Sequence, residues 1–266
     1  MSKTNDRALN FYNKVLGLER LHYGMWLPDD ELSIEKLKEA QERFENFLIE
    51  NIPDNAKKIL DVGCGTGILT KKLIGLGYNA EGLSPDINQK KTFKENTDAV
   101  FHHMAFEDFS KEDLYDCIIM SESSQYINVD KIFENSKRAL KKDGCLMICD
   151  YFLSENSAGE LGKSGHNHKI FMDKVKSSGF TVLSEKDITE SVAKTLDLAL
   201  DIVNKIFMAI EIGTERVQNK HPYLKKIIFW LYRKKIKKLT QQIELLDSIE
   251  FKKNKTYQFM LLQVNS

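Results

Sequence analysis

Residues 59–67, Ile-Leu-Asp-Val-Gly-Cys-Gly-Thr-Gly, hold the most specific chemistry in the chain. Gly63, Gly65 and Gly67 recur at i, i+2 and i+4, behind a mostly apolar run, Lys58 to Val62, and ahead of Ile68-Leu-Thr-Lys-Lys-Leu-Ile74. A strand, a glycine turn and a helix in that order present bare backbone amides at a helix N-terminus, where a ligand can come close. Asp61 selects among ligands. A dinucleotide loop sets its third glycine one residue later, in G-x-G-x-x-G spacing, and takes a pyrophosphate. Here that later position is Ile68. A carboxylate beside the turn repels a phosphate and attracts an ammonium group.

Two further stretches carry groups able to move a proton. Ser121-Glu-Ser-Ser-Gln-Tyr126 supplies Glu122 and Tyr126, and Lys163-Ser-Gly-His-Asn-His-Lys169 supplies His166 and His168. A histidine of near-neutral pKa suits that task, and His168 with Tyr126 are the expected pair. The two histidines are spaced like metal ligands, but no third ligand is evident, and no metal is expected.

An alternating series of elements has to position these residues. Lys58–Val62, Asn79–Leu83, Val100–Met104, Asp116–Met120 and Cys145–Asp150 read as strands, the fourth so apolar that it belongs at the centre of a sheet. Helices are expected after the first two and over 132–140, and Phe180–Ser184 and Thr256–Gln263 read as two more strands. Upstream, Ile34, Leu37, Ala40, Phe44, Phe47 and Leu48 form one helical face over 33–50, with Ser33 as N-cap. Strands alternating with helices argue for a parallel, doubly wound α/β sheet. Such sheets bind ligands outside the carboxyl ends of the strands, where strand order reverses.

From about residue 55 to 155 the chain resembles the class I S-adenosylmethionine-dependent methyltransferases, nearest to the cyclopropane-synthase and tocopherol-methyltransferase branch. The resemblance implies a Rossmann-like, seven-stranded sheet whose last strand runs antiparallel beside the sixth, with S-adenosylmethionine as cofactor and S-adenosylhomocysteine as product. In that family the glycine loop wraps the methionine part of the cofactor, its amino group near the acid matched here by Asp61. Strand two ends in Gly82-Leu-Ser-Pro-Asp86, without the acid most members use for the ribose. It is nearer to the Leu-Ser-Pro followed by Gln of the named branch, so Ser84 and Gln89 are expected at the ribose. Asp86 is either their rival or a helix N-cap. After strand three, Glu107 is expected to accept the adenine amine and Phe106 to lie against its ring. Ser121 opens the stretch that lines the space between cofactor and substrate. Phe11-Tyr12, Leu21-His-Tyr-Gly-Met-Trp26 and Glu39-Ala-Gln41 follow the order of that branch, which makes Tyr12 and Tyr23 lid residues reaching the methionine carboxylate.

The expected organisation is a lid segment, 1–54, a cofactor-binding core, 55–187 with 251–266, and a helical cap, 188–250, inserted between strands six and seven. The last is longer than a connection requires, and Thr195, Leu196, Leu198, Ala199, Ile202, Val203, Ile206 and Phe207 have helical spacing. From Arg216 to Ile243 nine Lys or Arg occur without an acid, interleaved with Ile227, Ile228, Phe229, Trp230, Leu231 and Tyr232. That pattern fits either contact with a membrane surface or a cap helix with solvated lysines. Methyl transfer from a sulfonium is an in-line displacement that mainly requires alignment and exclusion of water. A base is needed only for a weak nucleophile such as a phenol, alcohol or carbon centre. The expected acceptor is a small, largely apolar molecule, a lipid, isoprenoid or secondary metabolite, methylated on O, C or N.

Two alternatives stay open: a sensor or scaffold that binds the cofactor without turnover, and a nucleic-acid methyltransferase using 216–243 on phosphates. The latter lacks the Asn-Pro-Pro-Tyr or Asp-Pro-Pro-Tyr run and the Pro-Cys nucleophile of DNA enzymes, and zero net charge gives it no global support. The 266 residues are 42% hydrophobic, enough for a substantial core. Cys64, Cys117, Cys145 and Cys149 lack metal-ligand spacing and fit a reduced, cytosolic protein. Neither a signal core nor an apolar run of ~20 residues is present, so no export and no membrane span are expected.

Overall fold

The computed structural model describes residues 17–220, 243 and 245–265, the side chains of 215–220 excepted. Eight strands form one sheet: β1 (Lys58–Val62), β2 (Asn79–Leu83), β3 (Phe101–His102), β4 (Tyr115–Ser121), β5 (Leu140–Leu153), β6 (His166–Asn167), β7 (Phe180–Asp187) and β8 (Lys255–Val264). Their order is β3-β2-β1-β4-β5-β8-β7, with β6 pairing β5 off this path. β1 to β5 are mutually parallel, and β8 runs antiparallel between β5 and β7. Seven strands are those expected from the sequence, and the two-residue β6 is an addition. β3 is shorter than its apolar run, and β5 is longer because Leu140 already pairs with Tyr115.

Strand pleating divides the core. Leu60, Val62, Ile118 and Met120 point into one cluster with Phe106, Phe133 and Phe171. Their neighbours Ile59, Cys117 and Ile119 point into the other, with Phe44, Leu73, Val192 and Phe251. A strand buried on both faces needs continuous apolar sequence, which β4 supplies. Helices α1 (Ile34–Glu50), α2 (Ile68–Gly75), α3 (Ile87–Asn96), α4 (Val129–Ala139), α5 (His168–Ser177), α6 (Thr189–Lys220) and α7 (Ser248–Asn254) accompany the sheet. The four cysteines are free and buried.

α1 begins at Ser33, whose side chain accepts from the Lys36 amide, as its N-cap position requires. Its buried face holds Gln41 and Glu45 among Leu37, Ala40, Phe44 and Leu48. Gln41 Nε2 donates to the His22 carbonyl at 2.7 Å, and the Met25 amide donates to the Ala40 carbonyl. Gly24 is required by this approach, since a Cβ there would lie 2.7 Å from Ala40 Cβ. On the other side Thr195 Oγ1 accepts from the Gly24 amide and from Trp26 Nε1. Residues 20–26 are thereby strapped between α1 and α6.

The helical spacing expected over 195–207 is realised in α6, a helix of 32 residues. Val192, Ala193, Leu196 and Leu198 are buried, whereas Met208, Ile210 and Ile212 are exposed. Of the basic stretch 216–243, only the backbone of 216–220 and Ile243 fall within the described residues. Tyr12 also lies outside them. Among the described residues no helix is long and apolar enough to cross a membrane.

Candidate functional site

The turn after β1 is built by three glycines in the left-handed region, Gly63, Gly65 and Gly67, with φ of 77°, 53° and 85°. Gly63 is also forced by proximity: a Cβ there would lie 2.3 Å from Ser123 Cβ. Ser123 Oγ donates to the Val62 carbonyl at 2.6 Å, tying this turn to the end of β4. At Gly65 an added Cβ would meet nothing nearer than 4.0 Å, so one side of the loop backbone is open.

A cavity of about 290 Å³ opens there, at the carboxyl ends of β1 and β4. Asp61, Gly63, Gly65 and Thr66 form one wall, Arg20, His22 and Glu45 another, and Gln89, Ser121, Glu122, Gln125 and Tyr126 complete it. Asp61 is 2% exposed. Its Oδ2 accepts from Thr70 Oγ1 at 2.7 Å. Burial pushes this carboxyl up to about 6, the Thr70 bond offsetting part of the effect. A buried carboxyl facing a cavity gains most from a cationic ligand. The open backbone of Gly65 and the acid beside it fit the aminoacyl end of S-adenosylmethionine.

Gln89 lies on the cavity wall, and Ser84, buried behind it, donates to Gln89 Oε1 at 2.7 Å. Asp86 does what its cap position suggests: its Oδ1 accepts from the Asn88 amide at the start of α3. Phe106, Glu107, Tyr23 and His168, all expected at the site, do not line the cavity. Phe106 is a core residue stacked on Phe109, and the Glu107 carboxylate accepts from the Asn128 amide at 3.3 Å. Neither lines the cavity. The Tyr23 ring packs against Phe251 and Tyr257, and it is the Tyr23 main-chain N–H, at 2.8 Å from Glu122 Oε1, that meets the site. His168 starts α5, with Nε2 3.2 Å from the Glu185 carboxylate and its ring against Phe152, away from the cavity. Its neighbour His166 is closer: its Nε2 bonds the Ser124 carbonyl at 2.9 Å, behind the turn that bears Gln125 and Tyr126. Tyr126 does line the cavity, at its rim, and is 79% exposed.

Glu122, the other candidate from the 121–126 stretch, also lines the cavity. It sits at φ 52°, and its Oε1 accepts from both the Tyr23 amide and the Tyr257 hydroxyl. Burial raises its pKa, against the pull of those donors and of His22. Asp150 holds the adjoining turn, its Oδ2 accepting from Ser124 Oγ and the Gln125 amide, and burial pushes it up to about 7. Glu45, also on the cavity lining and 1% exposed, gathers Arg20 Nε at 2.7 Å, Lys72 Nζ at 3.3 Å and His22 Nε2 at 3.4 Å. Burial opposes its ionisation, but the bonds from His22 and Arg20 outweigh it and hold the carboxyl at about 2. The legible signal for Glu45 was an acid on the apolar face of α1, and for Glu122 its place in the 121–126 stretch; Arg20 carried none.

Residues 34–189, more than half of the chain, match a family model described as a methyltransferase domain. A ubiquinone biosynthesis O-methyltransferase of Rickettsia typhi is 26% identical over 194 residues, covering 65% of this chain and 76% of that protein. Another, of Glaesserella parasuis, is 29% identical over 104 residues, 35% of this chain, and the match spans 44% of that protein. Among solved structures, geranyl diphosphate C-methyltransferase from Streptomyces coelicolor, in complex with Mg2+, geranyl diphosphate and S-adenosylhomocysteine, superposes with TM-score 0.65 at 14% identity, covering 95% of this chain and 92% of that one. A cyclopropane synthase from Mycobacterium tuberculosis gives 0.64 at 18%, covering 92% and 90%. At such identities these two likenesses concern the fold. Together with the glycine turn and its buried acid, the family match identifies the chain as a member of the methyltransferase-domain family, a class I S-adenosylmethionine-dependent methyltransferase.

Proposed function

We propose that the cavity holds S-adenosylmethionine and presents it to a small-molecule acceptor entering beside Glu122 and Tyr126. The observation that carries this reading is the buried Asp61 carboxyl at the open backbone of Gly65. Asp61 pairs with the ligand's ammonium group, and Arg20, which also lines the cavity, meets its carboxylate. Gln89, oriented by Ser84, serves the ribose. When bound, the cofactor supplies a methyl group activated by a sulfonium. The chain's own part is to align the acceptor, exclude water and take up a proton where the acceptor releases one. Glu122, not His168, is placed for the last task.

Titration calorimetry with S-adenosylhomocysteine tests the reading. Asp61→Asn keeps the shape but loses the charge, and affinity falls about 100-fold, roughly 3 kcal/mol. Binding of NAD or ATP in preference to S-adenosylhomocysteine, with Asp61→Asn silent, overturns it. A further proposal rests on the composition of 216–243 together with the exposed Met208, Ile210 and Ile212 on α6: this region contacts anionic membrane surfaces. Sedimentation with phosphatidylglycerol vesicles at low salt checks it, and no enrichment on the vesicles removes it.

A further inference from the structure

The far wall of the cavity, beyond the glycine loop, has an unbalanced set of hydrogen-bonding atoms. Glu122 spends Oε1 on two donors, the Tyr23 amide and the Tyr257 hydroxyl. Among the described residues its Oε2 has no partner. Three residues on, Gln125 Oε1 is also without a partner among the described residues, but it is buried beyond the reach of a ligand in the cavity. Its main-chain N–H is committed to Asp150, which fixes where this side chain starts. Both residues line the same cavity. The Glu122 oxygen left over from Tyr23 and Tyr257 is thus the acceptor this wall offers to a ligand carrying a donor.

We infer that the acceptor is a hydroxyl compound, a phenol or alcohol, whose reacting O–H is donated to Glu122 Oε2. This rests on the methyltransferase reading above and names the class of acceptor for it. A neutral amine reacts through its own lone pair without help, and an alkene brings no donor for the carboxylate. A hydroxyl is too weak a nucleophile alone and needs the base that this wall provides. As the oxygen forms the new O–C bond, the C–S bond breaks with its electron pair left on sulfur, and the hydroxyl proton passes to Glu122 Oε2. The positive charge lost at sulfur is matched by the negative charge neutralised at the carboxylate. The acceptor is thus less purely apolar than the hydrophobic spacing of α6 implies.

The test uses the full chain, a donor with a carbon-13 methyl group, and a cell metabolite extract supplemented with para-butylphenol, para-butylaniline and para-butylstyrene. Products are assigned by carbon NMR and mass. The expected result is label on oxygen. E122Q is expected to bind S-adenosylhomocysteine within about twofold of the parent while kcat falls about 100-fold or more. E122D, which keeps a carboxyl, restores part of that rate. Label on nitrogen or carbon only, or an E122Q enzyme with undiminished kcat, overturns the inference and leaves the methyltransferase reading intact. So does S-adenosylhomocysteine binding with no oxygen-methylated product. Failure to bind S-adenosylhomocysteine at all overturns the underlying reading instead.

Discussion

A carboxyl acts as a base only when ionised, and burial raises the pKa of Glu122 above its ordinary 4.5. Activity on a hydroxyl acceptor therefore falls as pH drops through that raised value and recovers above it, which a pH profile of kcat measures. Gly63 makes a second residue-scale prediction. Gly63→Ala puts a side chain at φ 77° and 2.3 Å from Ser123 Cβ, whereas Gly77→Ala strains φ at 93° but meets nothing within 4 Å. Thermal unfolding is expected to show a loss of about 3 kcal/mol for the first and about 1 kcal/mol for the second. The glycine turn and Asp61 were legible because their chemistry lies within a few consecutive residues. Glu122 was legible as a group able to move a proton but its setting was not, because its donors come from residue 23 and residue 257, distances along the chain that no local pattern encodes. His168 was preferred over His166 for a similar reason. Two residues that look interchangeable in a loop stand at a strand-to-helix junction, where one turns toward Ser124 and the other toward Glu185.

At the scale of elements, the segment 20–26 is held by α1 from one side and α6 from the other, and each hold can be cut separately. Glu45 is ionised far below the usual carboxylate range, at about 2 against 4.5. A depressed carboxyl stabilises the fold above its unfolded pKa, and the contribution, on the order of 3 kcal/mol, is lost as pH falls from about 4.5 toward 2. Glu45→Gln is expected to abolish most of that acid-range dependence in a denaturant titration and to weaken S-adenosylhomocysteine binding by releasing Arg20. Thr195→Val leaves the Gly24 amide and the Trp26 indole N–H without their acceptor. Its cost is about 2 kcal/mol, read in the same titration. The helix and strand types were legible from periodicity, since α1, α6 and β4 each carry long regular patterns. Their ends were less so. β3 loses its outer residues at the sheet edge, where only β2 pairs with it, and β5 gains residues from its pairing with β4.

For the whole molecule, alternation of strands and helices sufficed to read a parallel, doubly wound sheet, and the order reversal between β1 and β4 places the cavity where such sheets bind ligands. What alternation could not convey is which side chains the antiparallel β8 delivers to that cavity. It lies between β5 and β7, pairs Tyr257 with Tyr151, and sends the Tyr257 hydroxyl to Glu122.

This position of β8 makes the centre of the enzyme dependent on a strand synthesised after all the others in its sheet. Until residues 255–264 have emerged, β7 has no neighbour to join and Glu122 lacks one of its two donors. A product cut short at residue 254 is expected to be a protease-sensitive species unable to retain S-adenosylhomocysteine, even though every residue of the glycine turn is present.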